Sequence, residues 1–148
     1  MNPFIKIFDT YVIDKLKTLA PEVSVLNGYL VHYADDLLNN KRGLKFPCVA
    51  AQAGKDTVTA IGGKGEQGKI EREINIIGAV SAKNPSAVNE QISELAYKVR
   101  KTLSINRFTA TDVSDIIIND TVYDLPSAGE QYAYFTMKIS IIYVEDWK

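Results

Sequence analysis

The clearest alternation of hydrophobic and polar positions lies in IEREINIIGAV, residues 70–80. In an extended chain, Ile70, Ile74 and Ile76 fall on one face, while Glu71 and Glu73 fall on the other. A period of two residues is typical of a strand with one buried face. The sequence therefore predicts a central strand here, against which the other elements pack.

A long helix is predicted directly after this strand. Its apolar residues recur at steps of three and four, which draws one stripe along a helix: Val88, Ile92, Leu95, Val99 and Leu103. Asn84 is a favourable N-cap residue, and Pro85 suits the first helical position, where an N–H would have no partner. We expect this stripe to be buried against the central strand.

A second amphipathic helix is predicted over residues 3–20, and Pro21 ends it. Its stripe consists of Phe4, Phe8, Val12, Leu16 and Leu19, widened by Ile5 and Tyr11. After it, Asn27-Gly28 favours a hairpin over residues 23–33, because both positions of a type I′ turn need positive φ. A single extended strand with a bulge at Gly28 is the alternative. A short helical turn is expected over residues 34–43.

The remaining strands are predicted to be short, except for the last. They are Cys48–Ala53, Thr57–Ile61, and a pair on either side of Asn119-Asp120, namely Val113–Ile118 and Thr121–Leu125. The last strand begins at Tyr132, and its alternation places Ala133, Phe135, Met137, Ile139, Ile141 and Tyr143 on one face. Tyr132 and Tyr134 fall on the other face.

This order of helix, strands, helix and strands predicts an α+β fold: a largely antiparallel sheet with two main helices packed on one face. The chain has 148 residues, a size at which one domain buries a core without disulfides. No internal repeat or composition shift marks a boundary, so we expect residues 1–148 to form a single domain.

A polar, glycine-rich segment interrupts the pattern between Gly54 and Lys69. Residues 63–69 fit the first seven positions of a phosphate-binding loop, but Ile70 stands where a Ser or Thr must hold magnesium. A strand is also predicted after it, where such a loop needs a helix N-terminus. We therefore expect no nucleotide binding, a mobile loop over residues 62–69, and a role for the whole segment in assembly rather than in the core.

Composition and charge exclude several classes of function. A net charge of −1 gives no basis for binding nucleic acid through its phosphates. The single cysteine, Cys48, allows no internal disulfide, and its small-residue surroundings indicate a packed thiol. No apolar run is long enough to span a bilayer, and the N-terminus lacks a signal peptide, so folding in the cytoplasm is expected.

The sequence offers little for catalysis or metal binding. His32 is the only histidine, which argues against a zinc site and a catalytic triad. Glu71 and Glu73 share a strand face, as paired catalytic carboxylates must, but Arg72 and Arg100 are expected beside them as on a solvated surface. We predict no catalytic residue, cofactor or metal, and no enzyme. The alternative is a small-molecule-binding or catalytic domain that uses Glu71 and Glu73.

The arrangement resembles the tail terminator (tail-completion) proteins of long-tailed bacteriophages. The features that carry the resemblance run from end to end: the N-terminal helix ending in KTLAPE, the strand FPCVAAQAG leading to a polar loop, the strand EREINIIGAV, the helix PSAVNEQISELAYKVRKTL, and the closing strand YAYFTMKISIIYVED. Other head–tail joining proteins and minor tail proteins are similar at this level and form a second alternative.

The resemblance implies a structural virion protein. Such a subunit assembles into a ring, expected to be a hexamer, on the head-proximal end of the tail. Its partners would be further copies of itself, the tail tube protein and the head–tail connector, with phage DNA passing through the lumen without sequence-specific binding and with no membrane contact. Taken with the residue patterns, it suggests these interface residues: Gly62, Gly63, Lys64, Gly65, Glu66, Gln67, Gly68, Lys69, Glu71, Glu73, Tyr132 and Tyr134.

Overall fold

The computed structural model describes residues 3–27, 45–61, 65–81, 84–104, 113–125 and 132–147. The predicted turn at Gly28, the helical turn over residues 34–43, His32, and the loop residues Gly62, Gly63 and Lys64 lie outside these ranges. Those predictions therefore stay predictions.

One mixed sheet of five strands forms the frame of the fold, in the order β1-β2-β3-β5-β4. The strands are β1 (Ser24–Asn27), β2 (Cys48–Ile61), β3 (Gln67–Ser81), β4 (Val113–Asp124) and β5 (Tyr132–Asp146). β1 runs parallel to β2, and every other neighbouring pair is antiparallel. The predicted α+β fold with a largely antiparallel sheet is confirmed.

The long helix, α2 (Pro85–Ser104), packs against β3 and β5 as predicted. All five residues of its stripe are buried: Val88, Ile92, Leu95, Val99 and Leu103. The Asn84 side chain accepts a hydrogen bond from the Ser86 N–H at 3.0 Å, and its carbonyl accepts one from the Val88 N–H at 3.0 Å. The helix start predicted from the Asn-Pro pair is therefore confirmed.

The N-terminal helix, α1, covers residues 3–19 on the same side of the sheet and changes its winding along its length. It is α-helical over Pro3–Phe8, π-helical over Asp9–Ile13, α-helical over Asp14–Leu16 and 3₁₀ over Lys17–Leu19. The prediction that Ile5 widens the buried stripe is wrong, because Ile5 is 59% exposed. Ile7 is buried instead, because it lies three residues after Phe4 on the same helical face, and Ile13 is buried at the end of the wider π turn.

The core lies between the two helices and alternate residues of β3 and β5. Ile74 pairs with Ile139 and Ile76 with Met137, and all four side chains are fully buried. Gly78 pairs with Phe135, whose ring occupies the space where a Cβ at position 78 would stand. The alternation predicted for both strands is confirmed.

Three predictions about the outer parts of the sheet are wrong. β2 is one strand through residues 54–56, where its pairing with β3 shifts register, instead of two short strands. β4 is likewise one strand with a shift between Ile118 and Thr121. β3 already begins at Gln67, so Gln67, Gly68 and Lys69 are not part of a loop. Pairing with β5 on the far side satisfies the backbone of this polar stretch, which local sequence does not reveal.

Candidate functional site

The sheet face opposite the helices carries six of the predicted interface residues: Gln67, Lys69, Glu71, Glu73, Tyr132 and Tyr134. They lie at opposite ends of that face. Glu73 pairs with Ser140, whereas Tyr134 pairs with Ala79, which is six residues further along β3 and therefore roughly 20 Å away. The structure thus divides the predicted surface into a carboxylate end and a tyrosine end.

The carboxylate end is a polar cleft of about 240 Å³. It is lined by Lys55, Thr57, Glu71, Glu73, Asn119 and Ser140. The Asn119 side-chain N–H donates to Ser140 Oγ at 3.0 Å, which ties β4 to β5 at the floor of the cleft. Two carboxylates beside one ammonium group can bind a polar or cationic group.

The two arginines expected beside these carboxylates lie on the other side of the sheet. Arg72 contacts Asp56 Oδ2 at 2.9 Å, and its guanidinium carbon sits 4.2 Å from the centre of the Phe4 ring. Arg100 donates to Thr121 Oγ1 at 3.4 Å. The expectation was wrong because the strand alternation places Arg72 with the isoleucines rather than with the glutamates.

The tyrosine end is packed rather than open. The Tyr132 ring lies 5.2 Å from that of Phe46, between centroids, and the Tyr134 hydroxyl donates to Asp124 Oδ2. Beneath them Cys48 is fully buried, which confirms the predicted packed thiol. Burial raises the pKa of Cys48 to about 11, against a smaller opposing effect of the hydrogen bond with the Ala79 backbone. A thiol that is neutral at pH 7 is a poor nucleophile.

The described part of the glycine-rich segment is tied to the end of β5. Gly65 has φ of +61°, a conformation that favours glycine. The Glu66 carbonyl accepts a hydrogen bond from the Trp147 N–H at 2.7 Å, and the Trp147 indole covers Gly68. Lys69 lies in β3, which continues to Ser81, so the element after the segment is the strand that was predicted there. The mobile loop predicted over residues 62–69 is therefore wrong at Gln67, Gly68 and Lys69, while the predicted role of residues 54–69 in assembly stays a prediction.

A groove that the sequence does not reveal lies between α2 and the start of β2. It encloses about 580 Å³, with Val23, Val80 and Leu95 at its apolar part. Its polar lining consists of Glu22, Glu90, Gln91, Glu94 and Lys98, with Pro47 at one side. The spacing of Glu90 and Glu94 on one helix face was a signal, but only the fold brings Glu22 to them.

Neither a metal site nor a membrane span is found in the described part of the chain. Within those ranges, no three side chains among His, Cys, Asp and Glu converge as metal ligands would. No described helix is both long and apolar enough to cross a bilayer. The chain matches no protein-family model and no curated protein sequence.

Proposed function

We propose that this chain is a tail terminator subunit of a long-tailed bacteriophage. The proposal rests on the end-to-end sequence resemblance, whose main elements become α1, β2, β3, α2 and β5. The observation that carries it furthest is the α+β architecture itself, a mostly antiparallel sheet with both helices on one face. That is the architecture the resemblance implies.

In this role the protein acts by binding rather than by catalysis. Several copies, six in the proposed ring, sit on the head-proximal end of the tail tube and stop its polymerisation. One side of the ring contacts the tube protein and the other contacts the head connector, while DNA passes through the centre. Closed cyclic symmetry suits such a cap, because one side can repeat the symmetry of the tube while the other need not.

The test is a tube-length assay by electron microscopy. Purified protein is added to polymerising tail tube protein, and an unrelated α+β protein of similar size serves as control. We expect tubes of limited length with added density at one end, and unlimited tubes in the control. Tubes that grow equally long and bare in both samples would overturn the proposal.

A related role, as another head–tail joining or minor tail protein, predicts a different result in the same assay. Such a protein would decorate one tube end or bind the connector without limiting tube length. The end density and the length distribution therefore separate the two roles.

The polar cleft supports one alternative of a different class, a small-molecule-binding or catalytic domain. The supporting observation is that Glu71 and Glu73 share the cleft with Lys55. A Glu71→Gln/Glu73→Gln double variant tests whether the carboxylates of this cleft belong to the capping surface instead, because both side chains stand on the face away from the core. If the variant caps tubes as the wild type does, capping does not need these carboxylates. If capping is lost while the fold is retained, they belong to the capping surface.

A further inference from the structure

The outer corner of the sheet is where three strands end together: residues 57–61 of β2, 67–69 of β3 and 144–146 of β5. Among the positions there whose exposure the structure describes, Gly68 alone is buried, and it has no side chain. A region with so few buried apolar contacts opens locally at a low cost in free energy. The closed form of the outer corner therefore depends on the contact that covers Gly68.

That contact is made by Trp147, directly after β5. Its indole lies over Gly68 and occupies the space where a Cβ at position 68 would stand. Its backbone N–H donates to the Glu66 carbonyl at 2.7 Å. Trp147 thus touches β3 and the residue just before it, and fixes the end of β5 to both.

The indole is itself held by hydrogen bonds that lead back to the core. The indole N–H donates to Glu145 Oε2 at 3.1 Å, and the Tyr143 hydroxyl donates to Glu145 Oε1 at 3.3 Å. Tyr143 is 1% exposed and belongs to the core, whereas Trp147 is 43% exposed and can swing away from Gly68 without disturbing the core. One end of this series of contacts is therefore fixed, and the other is free to move.

We propose that Trp147 is a latch for the outer corner. With the indole over Gly68, the three strand ends are closed. With the indole swung out, they separate as one unit while the rest of the sheet stays folded. Opening releases the backbone N–H and C=O groups that the closed corner pairs internally. The latch consists of contacts within one subunit, so it does not depend on the proposed function.

Hydrogen exchange of individual amides, followed by NMR, tests the latch in the full chain. Trp147→Ala removes the indole, and Gly68→Ala places a Cβ where the indole lies, so both variants should open the corner. Trp147→Phe keeps a ring and should restore part of the closure. Tyr97→Ala removes an aromatic ring that is 52% exposed on α2 and is the matched control.

In the two opening variants, amides of the outer corner should exchange about 10-fold faster or more, which corresponds to a lost contact of about 1.4 kcal/mol. Amides of Ile74, Ile76 and Ile139 in the core should keep their rates. Tyr97→Ala should change neither group by more than about twofold. Equal acceleration in the corner and the core would overturn the latch, because Trp147 would then belong to the global fold. Unchanged rates in the corner would overturn it as well.

Fluorescence gives a second readout, because Trp147 is the only tryptophan of the chain. Acrylamide, a neutral quencher, reaches the indole more easily when the ring is swung out. Gly68→Ala should therefore raise the quenching constant of Trp147 towards that of free indole, while the wild type and Tyr97→Ala should share a lower value. A quenching constant that is equal in all three proteins would overturn the proposed movement of the indole.

Discussion

The two faces of the sheet formed by β3 and β5 differ: one is apolar and buried under the helices, and the other is polar. On the face under the helices, Ile74, Ile76, Met137 and Ile139 are fully buried. On the opposite face the same strands present a carboxylate cleft, with Ser140 at its floor. Burying apolar surface on one face supplies most of the folding free energy, so the other face and the edges are free to carry binding residues. Because of this division, substitutions on the two faces should differ in their effect on stability.

The largest effect should come from removing a side chain of α2 that points to the core. Leu95 is 3% exposed, and Leu95→Ala should cost about 2–5 kcal/mol of unfolding free energy, as large-to-small core changes do. Tyr97, two residues along the same helix, is exposed, and Tyr97→Ala should change stability by about 0.5 kcal/mol or less. Urea unfolding of both variants measures the difference, and equal losses would contradict the division.

Raising the pH should reveal how tightly the opposite face is packed at its tyrosine end. The pKa of Cys48 is about 11 in the folded chain and 9.0 when exposed, so the folded state holds the proton more strongly. The contribution of Cys48 to the free energy of unfolding is fully present below pH 9 and is lost as the pH rises towards 11. For a pKa that differs by about two between the folded and unfolded chain, this loss is about 2–3 kcal/mol.

The same experiment needs a variant, because other groups also titrate in this range. Burial, together with the negative charge of Glu145, raises the pKa of Tyr143 to about 12. Tyr143 therefore adds a loss between pH 10 and 12. Urea unfolding at pH 8, 9, 10 and 11 should show a weaker decline in Cys48→Ala than in the wild type. Identical declines would place the thiol in contact with water.

Two glycines of β3 compare the centre of the sheet with its outer end. An alanine Cβ at Gly78 would meet the Phe135 ring and the Leu95 side chain in the core, and Gly78→Ala should cost about 1–3 kcal/mol, as overpacking does. At Gly68 the Cβ would meet the half-exposed Trp147 indole. That ring lies at the end of β5 and can move aside, so Gly68→Ala should cost less. A reversed order in thermal unfolding would contradict this reading of the two ends.

The smallest effect is expected from the Arg72–Asp56 pair at the rim of the covered face. The two side chains are 23% and 35% exposed, and Asp56→Asn should cost less than about 1 kcal/mol. Arg72→Met keeps an apolar stem against Phe4 and removes a buried Nε that has no hydrogen-bond partner in the part of the chain described. It should be near neutral. A large loss in either variant, read from urea unfolding in low and high salt, would give this pair a structural role.

The sequence predicts the covered face well because both of its signals are local. The stripe of α2 and the alternation of β5 follow from helical and strand periods, and the Asn84 cap is a local hydrogen bond. The outer sheet was predicted poorly for the opposite reason. Gly54-Lys55-Asp56 has the composition of a loop, and only pairing with β3 holds it in a strand. In β4, Asn119-Asp120 has the composition of a turn and forms a register shift instead.

The candidate site shows the same limit. The sharing of one face by Glu71 and Glu73 follows from the period of two residues, and the structure confirms it. Their neighbours Lys55 and Asn119 come from strands far apart in sequence, so local pattern does not find them. The groove beside α2 was missed because Glu22 joins Glu90 and Glu94 only in the folded chain.

The most direct test of the proposed function is the mass of the purified protein, measured alone and beside tail tube protein. If the proposal is correct, the 16.4 kDa chain forms a closed oligomer of fixed size, expected to be six copies, in at least one of the two conditions. Growth into filaments of unlimited length would contradict ring closure. A monomer at high concentration, both alone and beside assembled tubes, would contradict the central claim that this chain acts by self-assembly on the tail.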